Sequence, residues 1–95
     1  MTAQYLQTLQ TALPALKAKY PIASMALFGS VTREDFDPER SDVDILVDYQ
    51  ANDFAVYLSL AEELEQLLGK KVDLITTRSL KPRQWEYLKN KLIYV

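Results

Sequence analysis

Between Ile22 and Val47 the chain reads IASMALFGSVTREDFDPERSDVDILV, and this stretch decides the fold. Ile22 to Phe28 is a short apolar run bounded by Pro21 and Gly29, with a length and flanks that suit a buried strand better than a helix. Gly29 to Ser41 is polar and carries Pro38, so it reads mostly as a loop with room for one helical turn. Asp42 to Asp48 then alternates, with Val43, Ile45 and Val47 on one face and Asp42, Asp44, Leu46 and Asp48 on the other. A strand with one packed face and one carboxylate face is predicted.

Upstream of this core, Tyr5, Leu6, Leu9, Leu13, Leu16 and Tyr20 recur at helical spacing. Pro14 leaves two arrangements open: a kinked helix, or a second helix capped by Thr11 with the proline in its first turn. Pro21 ends the segment. Downstream, Asn52 or Asp53 suits the N-cap of a helix running to about Leu68, with Gly69 placed for a left-handed C-terminal cap. Val72 to Thr76 reads as a strand, Arg83 to Lys89 as a helix, and Leu92 to Val95 as a short strand or docking tail. The order α-β-loop-β-α-β-α-β predicts an α/β (α+β) fold around a small sheet. At 95 residues the expectation is one domain spanning 1–95, small enough for an oligomer or a partner chain to add stability.

Composition narrows the chemistry. The chain has no cysteine and no histidine, which excludes thiol catalysis, zinc-thiolate sites and the commonest general base. Catalysis would have to run on carboxylates, lysines, tyrosines, hydroxyls or bound ions, and a metal would be a hard, oxygen-bound cation such as Mg²⁺ or Mn²⁺. With a net charge of -2 and bases interleaved with acids, nucleic-acid binding through phosphate neutralisation is not expected. The basic residues after Leu68 read as a solvated surface. No secretory leader and no apolar run near the ~20 residues of a membrane span are present, so a cytoplasmic protein without a membrane partner is expected.

Asp42 and Asp44 lie two apart and project to the same face, where their carboxylates can converge on one or two divalent ions. Solvated strands carry such pairs as well, so the pair alone decides little. Asp73 sits between Val72 and Leu74, and a buried carboxylate there would need a metal, an arginine or several hydrogen bonds. The plainer alternative is an ion pair with Lys70, Lys71 or Arg78. Gly29-Ser30 follows a strand directly; a glycine lets a phosphate approach backbone amides, and the Ser30 hydroxyl can donate to it. Arg33 is placed either to return to the phosphates or to lie in solvent.

Taken together, Leu27-Phe28-Gly29-Ser30-Val31-Thr32-Arg33 and Ser41-Asp42-Val43-Asp44-Ile45-Leu46-Val47 resemble the signature of the polymerase-β nucleotidyltransferase superfamily, and most nearly its minimal nucleotidyltransferases. Val72-Asp73-Leu74-Ile75 is similar to the strand that brings the family's third acid. Thr32 and Glu34 stand where many members have alanine and glycine. The resemblance implies a small mixed sheet flanked by helices, with Asp42, Asp44 and Asp73 as catalytic, Mg²⁺-binding acids. It implies Gly29, Ser30, Arg33 and Ser41 at the nucleotide, and ATP as substrate. It further implies a HEPN-domain toxin as partner, with AMP transferred to a tyrosine hydroxyl of that ribonuclease by the antitoxin. A non-catalytic antitoxin that acts by binding, with Trp85, Tyr87, Leu92, Ile93 and Tyr94 as contact surface, is the alternative, followed by a small-molecule nucleotidyltransferase.

Overall fold

A computed structural model describes residues 2–95. Helix α1 (Thr2–Lys19) leads into strand β1 (Ile22–Phe28), a 3-10 turn (Gly29–Thr32), strand β2 (Val43–Tyr49) and helix α2 (Phe54–Leu68). Strand β3 (Val72–Thr76), a second 3-10 turn (Thr77–Ser79), helix α3 (Pro82–Leu88) and strand β4 (Ile93–Tyr94) follow. The sheet order is β3-β2-β1-β4, and the sheet is mixed: β1 runs antiparallel to β2 and β4, while β2 and β3 are parallel. The parallel pair needs a crossover, and α2 supplies it.

Strand parity sorts the sheet into two faces. Met25, Leu27, Val43, Ile45, Val47 and Leu74 face one way and pack with Leu9 and Leu16 of α1 and Leu60 and Leu64 of α2. Several of these, including Leu9, Leu27, Ile45, Leu60 and Leu64, are completely excluded from solvent, so this layer supplies most of the apolar burial that holds the fold. Register places Asp73, Asp44 and Phe28 in one row across the opposite face, with Ile75, Leu46, Ala26 and Tyr94 in the next. Leu46 and Ala26 are buried on that second face, so it is not a bare carboxylate surface.

Local signals explain the element ends. The Asp53 carboxylate accepts hydrogen bonds from the amides of Ala55 (3.0 Å) and Val56 (3.3 Å), capping α2. Gly69 closes α2 with φ 65°, a left-handed cap that a residue without a Cβ adopts at least cost. Pro14 lies inside a single continuous α1, on its exposed side, so neither a second helix nor a Thr11 cap forms. Helix α3 starts at Pro82, a favoured first position, and none of its residues is buried. No described helix is long and apolar enough to cross a membrane.

Candidate active site

The site grows from the turn after β1. Gly29 adopts φ +73°, and a Cβ built there would stand 2.1 Å from Oδ2 of Asp44. Only glycine admits both the left-handed backbone and the approach of that carboxylate. The Thr32 hydroxyl donates to the Gly29 carbonyl at 2.7 Å, and the Arg33 amide donates to the Ser30 carbonyl at 2.9 Å, which together close the turn. Val31 is fully buried and ties the turn to the core. Phe36 anchors the loop that follows, its ring edge-on to Tyr5 at 5.9 Å between centroids. A segment that looks polar throughout is thus nailed down by two apolar side chains.

Parallel register sets Asp44 opposite Asp73, and Asp42 stands one residue before β2 begins. Burial, then the charge of Asp73, then that of Asp42 hold the Asp44 carboxyl above its ordinary range, while Arg33 pulls the other way. Three acids share one neighbourhood with little positive charge to offset them. Asp42 and Asp73 are exposed and Asp44 is half-buried. Among the described residues, no three acids stand close enough together to hold a metal ion as they are. An ion held by all three acids would require the exposed Asp42 and Asp73 side chains to change rotamer. An oxygen-only donor set with an excess of negative charge fits a hard divalent cation such as Mg²⁺.

One expectation is corrected here. Asp73 is not a buried carboxylate that must find a partner. Val72 and Leu74 point into the core, and alternation turns Asp73 outward into solvent. Ser41 is turned into its own loop: its hydroxyl accepts from the Asp37 amide at 3.2 Å and its amide donates to the Asp37 carbonyl at 2.8 Å. These two bonds close the loop that leads to Asp42. Ser30 is half-buried, and its hydroxyl makes no hydrogen bond among the described residues. Arg33 is 59% exposed and donates through Nε to Asp35 Oδ1 at 3.1 Å.

Beside the turn lies a cleft of ≈ 690 Å³, lined in part by Phe28, Gly29, Thr32 and Arg33. The rest of the lining comes from α3 and the segment leading into β4, with Tyr87, Leu88 and Lys91 among its residues. Tyr87 and Tyr94 are 67% and 55% exposed, whereas Trp85, Leu92 and Ile93 are half-buried. The C-terminal aromatics are therefore not simply core. The contribution of Lys91 to this cleft was not signalled in the sequence, because nothing local ties a lysine after α3 to a glycine turn sixty residues earlier. A separate, more apolar recess of ≈ 390 Å³ lies at the far ends of β2 and β3, lined by Tyr49, Phe54, Tyr57 and Ile75 among others.

A family model described as nucleotidyltransferase domain matches residues 9–95. A Methanocaldococcus jannaschii protein described as a candidate protein adenylyltransferase is 46% identical over 84 residues, covering 84% of this chain and 83% of its own. The protein adenylyltransferase MntA of Thermococcus cleftensis is 33% identical over 97 residues, covering 100% of this chain and 97% of its own. A solved structure of a candidate minimal nucleotidyltransferase superposes with a TM-score of 0.81 at 32% identity, over 98% of this chain and 95% of that one. A chain from the complex of tri-AMPylated Shewanella oneidensis HEPN toxin with MNT antitoxin shares the fold at a TM-score of 0.68 and 22% identity, over 95% of this chain and 70% of that one.

Proposed function

Because the chain belongs to the nucleotidyltransferase domain family, we propose that it transfers AMP from ATP to a tyrosine hydroxyl of a HEPN-type toxin and so acts as that toxin's antitoxin. The observation that carries this reading is the Asp44 carboxylate, set against the Gly29 turn and opposite Asp73 in register. The similarity to protein adenylyltransferases over most of the chain supports the transfer, and the shared fold with a chain of a toxin–antitoxin complex is compatible with the partner. The helices and sheet gather their buried residues into one main core, which supports residues 1–95 acting as one domain.

In this reading Asp42, Asp44 and Asp73 hold Mg²⁺, which when bound neutralises and orients the triphosphate. Gly29 leaves the turn open to a phosphate, the free Ser30 hydroxyl donates to one of its oxygens, and Arg33 exchanges Asp35 for phosphate charge. The tyrosine oxygen bonds to the α-phosphorus as the α–β anhydride bond breaks, and pyrophosphate leaves. The phenolic proton passes to the Asp73 carboxylate, whose exposure keeps it within reach of a partner's side chain. Ser41 acts indirectly, by closing the loop that presents Asp42.

Co-expression with the partner toxin tests the reading. The intact chain should rescue growth and leave AMP on a tyrosine of the toxin, located by peptide mass spectrometry. Growth rescue with an unmodified toxin would reject transfer and leave neutralisation by binding.

A further inference from the structure

The cleft beside the Gly29 turn is lined by two chemically different groups of residues. Gly29 and Arg33 are suited to phosphate, whereas Tyr87 and Leu88 are aromatic and apolar. Its ≈ 690 Å³ falls within the roughly 300–1,000 Å³ usual for cofactor-sized ligands. Tyr87 is 67% exposed, a large aromatic left in solvent on a helix with no fully buried residue. The Lys91 ammonium lies over its ring at 3.8 Å from the centroid. Both residues line the same cleft as Arg33.

We propose that Tyr87 is the stacking platform for the nucleobase of the triphosphate substrate, with Lys91 as the cation that the base displaces toward the phosphates. This rests on the nucleotide site proposed above and adds the residue that holds the base. Magnitudes decide the exchange. An exposed cation–aromatic contact shifts an equilibrium roughly 2- to 5-fold. A base stacked on an aromatic side chain shifts it roughly 5- to 150-fold. A base therefore outcompetes the ammonium for the ring, and the released ammonium remains in a cleft where Arg33 already favours an anion. Stacking reads the π-face common to all bases, so the platform takes nucleoside triphosphates as a class, with little choice between bases.

Calorimetric titration of the purified full chain with Mg²⁺-ATP, and separately with Mg²⁺ and inorganic tripolyphosphate, tests the proposal. Tyr87→Ala should weaken ATP at least 5-fold while leaving tripolyphosphate within 2-fold, and Tyr87→Phe should keep wild-type affinity for both. Lys91→Met should weaken both probes. A Tyr87→Ala variant that binds ATP within 2-fold of wild type, or that loses both probes equally, would overturn the platform while sparing the nucleotide site. A wild-type chain that binds neither probe would overturn the nucleotide site itself, and the platform with it. Tyr87 is exposed, so its variants should fold, and circular dichroism checks that directly.

Discussion

At the scale of single residues, Gly29 and Asp44 form one unit. The glycine's missing Cβ is the space that the Asp44 carboxylate fills. Gly29→Ala should therefore do two things. A left-handed backbone costs a non-glycine residue about 1–2 kcal/mol, which for a domain of this size lowers the melting temperature by roughly 4–16 °C. The methyl group would also displace Oδ2 of Asp44, and AMP transfer should be lost even at temperatures where the variant is folded. Thermal melts and transfer assays run together check both. Asp44→Asn tests the opposite trade. Burial and two acidic neighbours disfavour the Asp44 charge in the metal-free chain, so removing it should raise the metal-free melting temperature. Mg²⁺ should then stabilise the wild type more than the variant, and transfer should disappear. A variant that melts below the metal-free wild type would contradict the electrostatic description of the site.

At the scale of elements, the joint between α1 and α2 is a three-group pin. Lys19 Nζ and Tyr20 Oη each donate to the Glu63 carboxylate at 2.8 Å. These bonds, Lys19 first and then Tyr20, hold the Glu63 carboxyl below its ordinary range. Burial first, and then the bond to Glu63, pushes the Tyr20 phenol up to about 12. The signs follow from linkage. Glu63 loses its proton more readily when folded, so its contribution is present above its ordinary value of 4.5 and fades as pH falls below it. Tyr20 holds its proton more tightly when folded, so its contribution is present below 10.0 and is lost between there and about 12. Glu63→Gln should lower the melting temperature on the plateau and soften both edges of its pH profile. Much of this layer was legible in the sequence: Asp53 and Gly69 bound α2, and alternation orients β2. Pro14 was not, because a proline on a helix's solvent side can be carried by the packing of Leu9 and Leu16 on the other. Nor was the anchoring of the Gly29–Ser41 loop, where Val31 and Phe36 are isolated apolar residues with no periodicity to reveal them.

At the scale of the whole molecule, the two faces of the sheet divide the labour. One carries the core, and the other carries Asp44 and Asp73 in register near a cleft lined in part by α3. The type and spacing of the acids were the sequence signal for the chemistry proposed for this site. Their solvent exposure did not follow from it, since apolar neighbours in a strand say nothing about the residue between them that faces the other way. The cleft wall was hidden for a different reason: it depends on the chain returning through β4 to the edge of β1, a tertiary event with no local signal. The most direct measurement incubates the purified chain with ATP, Mg²⁺ and the proposed toxin partner and weighs the toxin, comparing wild type with Asp42→Ala/Asp44→Ala. Wild type should add the mass of one or more AMP groups, while the folded double variant adds none. AMP addition by the double variant at the wild-type rate would contradict the assignment of these acids.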